Sequence, residues 1–176
     1  GGTSRDVEDA IAEATAAGVL CIAAAGNSGK RVDFPGSLLT TLAVGSYRRD
    51  GRISEFSGRG PQVDVACPGE NITSTWLSGR YQSISGTSMA APFAAGIAAL
   101  YLATVQDKKL TAGEVRRQLE SITIDQGKIG HDSSFGWGFL DIDALLDSDD
   151  GGEEEPQRVG DYVVTPRGRS LLINPV

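Results

Sequence analysis

Ser85-Gly86-Thr87-Ser88-Met89-Ala90-Ala91-Pro92, running on into Phe93-Ala94-Ala95-Gly96-Ile97-Ala98-Ala99-Leu100, is the stretch that decides the fold. A glycine-bearing turn gives way to small and apolar residues on every side of a helical wheel. A helix apolar all round is expected to be buried, not laid on a surface. Ser88 falls in its first turn, where free backbone N–H groups and the positive end of the helix dipole favour an anion. Two roles are open to a serine there: a helix cap, or a nucleophile whose own N–H steadies an oxyanion.

Upstream, Val19 to Ala25 is a continuous apolar run, the pattern of a strand covered on both faces of a parallel sheet. Before it, Val7, Ala10, Ile11, Ala14 and Ala17 recur at helical spacing. Thr3 or Ser4 is placed to cap that helix, Asp6 adds first-turn negative charge, and Gly18 is placed to end it. Helix, strand, then a glycine turn is an α/β rhythm. Asn27 would stand at the carboxyl end of the strand, where α/β sheets bind their ligands. Taken alone it reads equally as a turn asparagine before Gly29.

Downstream the pattern continues. Leu42-Ala43-Val44-Gly45 and Val63-Asp64-Val65-Ala66 are short strand candidates, with an expected exposed loop of Gly, Ser and Arg from Arg48 to Pro61. Ile72–Thr75 and Tyr81–Ile84 would form a hairpin that delivers the chain to Gly86. Thr111-Ala112-Gly113-Glu114 has the capping-box pattern, and Val115, Leu119 and Ile122 supply the inward face of the helix it opens. Asp141 is placed to cap a last helix through Leu146, and Trp137 is expected in the core.

The chain has 176 residues and a net charge of −7. Asp147, Asp149, Asp150, Glu153, Glu154 and Glu155 account for nearly all of that charge, in an expected solvated acidic linker over 147–156. That run lacks the regular ligand spacing of a calcium loop. A near-neutral body without clustered Lys or Arg gives no electrostatic case for nucleic acid. No apolar run reaches membrane-spanning length without a glycine or polar interruption, which argues against a membrane partner. Cys21 and Cys67 show no metal-like spacing and are expected as free, buried thiols. Residues 157–176 form an extension in which Asp161–Thr165 and Ser170–Ile173 make a plausible hairpin.

Gly86-Thr87-Ser88-Met89-Ala90-Ala91-Pro92 closely resembles the nucleophile motif of the subtilisin-like serine proteases, the subtilases. It lacks the final glycine of the G-x-S-x-G elbow, which argues against an α/β-hydrolase. Ala23-Ala24-Ala25-Gly26-Asn27-Ser28-Gly29 resembles that family's oxyanion-asparagine segment, and the resemblance runs from Gly1 to Leu146. It implies a three-layer α/β domain, a mostly parallel sheet with helices on both faces, present here as a C-terminal half without its N-terminal strands. It makes Ser88 the nucleophile and Asn27 the oxyanion donor of a serine endopeptidase. Gly1 and Gly2 become the end of a substrate-binding strand, Ala24, Ala25 and Gly26 one wall of the specificity pocket, and Thr87 a further substrate contact.

Asp33, two residues before Pro35, resembles the floor of that pocket. A carboxylate there would favour Lys or Arg side chains; the plain alternative is a loop ion pair with Lys30 or Arg31. Phe93 departs from the histidine usual after the motif proline, at a position outside the catalytic triad. The family needs Asp, His and Ser in that order, yet the one histidine, His131, follows Ser88. His131-Asp132 invites a dyad reading, but neighbours in one loop cannot readily orient each other and reach a helix elsewhere; a surface histidine is expected. The catalytic Asp and His are therefore expected outside this chain, from the N-terminal half of the domain, with peptides or proteins as substrates. The resemblance also implies an extracellular enzyme and allows a structural calcium, with no site assignable and no other cofactor. A rival reading is an inactive module binding peptides by strand addition along Gly1-Gly2. A nucleotide-binding domain is excluded, since no G-x-G-x-x-G turn follows any candidate strand.

Overall fold

The computed structural model describes residues 2–105 and 109–146, together with three short strands at 157–159, 162–164 and 170–172. The chain divides into two compact units, Gly1–Leu140 and Asp141–Val176.

The first unit is built on a five-stranded sheet. Its strands are β1 (Cys21–Ala24), β2 (Thr41–Tyr47), β3 (Val65–Pro68), β6 (Thr123–Ile124) and β7 (Phe139–Leu140), in the order β1-β2-β3-β7-β6. The first four in that order run parallel, and β6 alone is antiparallel. β2 lies inside the sheet and is buried from Thr41 to Ser46, which explains its unbroken apolar reading. β1 lies at the edge, so the expected two-sided cover is only partial, and Val19 just before it is 55% exposed. β4 (Ile72–Trp76) and β5 (Arg80–Ile84) form the expected hairpin, paired from Ile72↔Ile84 to Trp76↔Arg80.

Helix α1 (Arg5–Ala16) precedes β1, with Ser4 at the N-cap position but no side-chain cap hydrogen bond. Gly18, at φ 87°, ends the turn as expected. The apolar stripe of α1 buries none of its residues. Helix α2 (Thr87–Thr104) lies over β1, β2 and β3. Its sheet-facing stripe is Thr87, Ala90, Ala94 and Ala98, small residues that let the helix approach closely. The all-round burial expected of α2 does not occur: Phe93, Leu100 and Leu102 are 42%, 43% and 47% exposed. Only one side of the helix meets the described residues. By length and composition α2 could span a membrane; its packing on the sheet makes it a core helix of this domain.

Helix α3 (Ala112–Ser121) has the full capping box, Thr111 accepting from the Glu114 N–H while Glu114 accepts from the Thr111 N–H. Val115, Leu119 and Ile122 are buried, as their spacing predicts. Burial of each such aliphatic side chain stabilises by roughly 1.5–3 kcal/mol. Arg116 of α3 pairs with the buried Asp64 and donates to the Leu39 carbonyl, tying α3 to the segment between β1 and β2. Burial pushes the Asp64 carboxyl up, against the opposing pull of the Ala43 N–H and of Arg116. Helix α4 (Ile142–Leu146) is capped by Asp141, whose Oδ1 accepts from the N–H groups of Asp143 and Ala144.

Three further expectations are corrected. Residues 48–61 are not simply exposed: Ser54 and Ser57 are fully buried, Ser54 bonded to the Ser46 hydroxyl and Ser57 accepting from the Ser46 N–H. Trp137 is 43% exposed and packs edge-on to His131 outside the core. Cys21 is only partly buried; Cys67 is buried, and burial pushes its thiol up to about 12. In the second unit, β8 (Gln157–Val159), β9 (Tyr162–Val164) and β10 (Ser170–Leu172) form an antiparallel sheet. It contains the expected hairpin, with Ser170 opposite Val164, and one strand more. The acidic run 147–156 lies outside the described residues.

Candidate active site

β1 runs into Gly26-Asn27 at its carboxyl end, and α2 begins beside it after the β4–β5 hairpin. The link is made at the motif turn. The Gly86 N–H donates to the Gly69 carbonyl at 2.8 Å, just past β3. A Cβ at Gly86 would stand 3.4 Å from the Asn27 Nδ2, so glycine lets the asparagine amide lie against the turn.

Asn27 is held by α2 itself. Its Oδ1 accepts from the Thr87 N–H and from the Thr87 hydroxyl, each at 2.9 Å. Thr87 Oγ1 in turn accepts from the Gly26 N–H at 3.1 Å. With the carbonyl end of the amide fixed by two donors, the two N–H bonds of Nδ2 are the end left for a ligand. The same contacts sort out the first turn of α2. Thr87 N–H is committed to Asn27, and Met89 N–H to the Gly86 carbonyl at 2.9 Å. Among the described residues the Ser88 N–H between them has no protein acceptor, as expected for an orphan donor in a first helical turn. Pro92 has no N–H to offer the Ser88 carbonyl four residues earlier. Ser88 thus sits exposed with its own N–H unpaired, next to an immobilised amide.

An open cavity of about 660 Å³ adjoins this point, lined by Ala24, Gly26, Asn27, Asp33, Thr87 and Ser88 among others. Six of the residues expected at the site are therefore brought together. Thr87 is fully buried, and its hydroxyl and N–H are committed to Asn27 and Gly26. It positions the asparagine while also lining the cavity. Ala25 is corrected. It is fully buried in a cluster with Val32, Ala43 and Val63 and is not among the cavity's lining residues. Gly2 is not among the cavity's lining residues, and Gly1 lies outside the described residues. Ile22, Phe34 and Pro35 line the cavity although the sequence does not single them out. Ala23 lines the cavity together with Ile22 and Ala24, so no period of two along β1 picks out the lining residues.

His131 is held elsewhere, its Nε2 2.8 Å from the Val63 carbonyl. Asp132 does not orient it. The Asp132 carboxylate accepts from the N–H groups of Lys128, Ser134 and Phe135, closing its own loop. Partial burial pushes that carboxyl up, but those donors outweigh it and hold it below the usual range. No dyad aimed at Ser88 exists among the described residues. Among the described residues no grouping of three or more His, Cys, Asp or Glu could hold a metal ion.

Residues 1–138 match the model of the Subtilase family. Minor extracellular protease Epr of Bacillus subtilis is 36% identical over 143 residues, covering 80% of this chain and 22% of that protein. Subtilisin DY of Bacillus licheniformis is 34% identical, covering 80% of this chain and 52% of its own length. The crystal structure of a lanthipeptide protease superposes with a TM-score of 0.74 at 26% identity, over 80% of this chain and 54% of that one. The chain thus spans about half the length of Subtilisin DY and less of Epr. A match of this extent, over a sheet and motif turn folded together as described, makes the chain a member of the subtilase family.

Proposed function

We propose that this chain is the C-terminal half of the catalytic domain of a serine endopeptidase that cleaves peptides or proteins by acyl transfer. Ser88 Oγ attacks the scissile carbonyl, and the Ser88 N–H and Asn27 Nδ2 hold the oxyanion. The base that takes the serine proton, and the carboxylate that orients it, belong to residues outside this chain, in the N-terminal half of the domain. The observation that carries this reading is the double hydrogen bond from Thr87 to Asn27 Oδ1, which turns a turn asparagine into a fixed donor beside Ser88. The uncovered face of α2 and the edge position of β1 support it, since both offer surface on which further elements of the domain can pack. Extracellular action is part of the proposal, by likeness to Epr, whose name says so.

The test is covalent labelling of the full-length protein with a fluorophosphonate. Label is expected on Ser88 and absent in Ser88→Ala. Label surviving that substitution would place the nucleophile elsewhere. Peptide binding with no labelling at all would favour the inactive binding module, the reading consistent with the lack of a base among the described residues.

A further inference from the structure

The cavity beside Ser88 has one charged group in its lining, Asp33, among Ile22, Ala24, Phe34 and Pro35. The position of this carboxylate is fixed through its backbone. The Asp33 N–H donates to the Ala25 carbonyl at 2.9 Å, and its carbonyl accepts from Ser37 at 3.0 Å. Its side chain lies flat against Gly26; a Cβ there would collide with the Asp33 carboxylate and the two carbons behind it. Glycine at 26 is thus what leaves room for Asp33 in the cavity. The alternative of a loop ion pair does not occur: Lys30 and Arg31 make no ion pair with Asp33, and no described residue donates a hydrogen bond to its carboxylate.

Apolar walls with one unpaired carboxylate suit a side chain that is itself divided, an alkyl stem ending in a cation. A purely apolar side chain would cover the Asp33 carboxylate and leave it unpaired, which is costly. A Lys or Arg would cover the walls and pair the charge in one step, with charge-assisted hydrogen bonds. We infer that Asp33 makes this cavity the specificity pocket for a Lys or Arg side chain on the substrate residue that supplies the scissile carbonyl. The inference rests on the endopeptidase reading for the word substrate, but its binding preference does not depend on catalysis.

The test therefore uses binding. In the full-length protein carrying Ser88→Ala, two peptides differing only in Lys or norleucine at that residue are titrated calorimetrically. The Lys peptide is expected to bind about tenfold or more tightly, since the pair forms in a partly desolvated cleft. Raised salt should narrow the gap. Adding Asp33→Asn should bring the two affinities within about twofold, and Asp33→Glu should keep the preference for Lys. Equal affinity for the two peptides without any Asp33 change overturns the inference, as does a preference that survives Asp33→Asn. Fluorophosphonate labelling of the wild type reads the serine independently. A Lys preference without labelling would uphold the pocket and overturn the endopeptidase reading; labelling without a Lys preference would do the reverse.

Discussion

The two sides of α2 are opposites. On the sheet side Thr87 holds Asn27, Met89 holds Gly86, and Ala90, Ala94 and Ala98 are buried. Away from that stripe Phe93, Leu100 and Leu102 are left nearly half exposed. One sequence, apolar throughout, thus has a finished face and an unfinished one. The finished face carries the proposed oxyanion donors. The unfinished face is where the proposed base-bearing half would pack. Chemistry and packing divide at the same helix.

The largest effect tests the finished face. In the full-length enzyme Asn27→Leu should lower kcat by about 10²–10³ with little change in KM, the size known for a subtilisin's own oxyanion asparagine and borrowed from it. A wild-type kcat would remove Asn27 from the mechanism. Next comes a contrast in stability. Leu42→Ala, inside β2, should cost about 2–5 kcal/mol in denaturant unfolding wherever it is measured. Phe93→Ala should fall within about 0.5 kcal/mol in this chain alone, yet cost about 3–5 kcal/mol once the N-terminal half is present. Equal costs in the two settings would break the comparison.

Thr87→Val tests the clamp between the faces. It removes a hydroxyl but keeps the N–H bond to Asn27, so a loss of roughly 1–3 kcal/mol is expected, with kcat falling and Ser88 still labelled. The smallest effect lies at α3. Hydrogen bonds from the Thr111 N–H and hydroxyl hold the Glu114 carboxyl below its ordinary value. A depressed acid stabilises the fold above its unfolded pKa and loses that contribution as pH falls through the folded one. Glu114→Ala should therefore lower Tm at neutral pH, with the difference from wild type shrinking as pH falls below the ordinary carboxylate range. A gap that stays constant with pH would mean the carboxylate's charge is not what caps α3.

Much of the site was legible because its signals are local. Ser88 and Asn27 sit in short motifs whose spacing needs no knowledge of the rest of the chain, and the α3 capping box needs four residues. What failed depends on neighbours. Nothing in the wording of α2 says which of its apolar sides finds a partner. That Ala23 and Ala24 reach the cavity while Ala25 is sealed in the core is hidden in a run of three alanines. Ser54 and Ser57 read as solvated loop because composition cannot distinguish a serine bonded inside from one facing water. Strands β6 and β7, two residues each, are too short to show any period.

The central claim is that this chain supplies the nucleophile and the oxyanion donors but not the base. It is tested most directly by fluorophosphonate labelling of residues 1–176 alone and after addition of the separately produced N-terminal half. Label is expected on Ser88 only in the reassembled protein, and none when that half carries a substituted histidine base. Strong labelling of the isolated chain at Ser88 would contradict it, because the base would then lie within these residues.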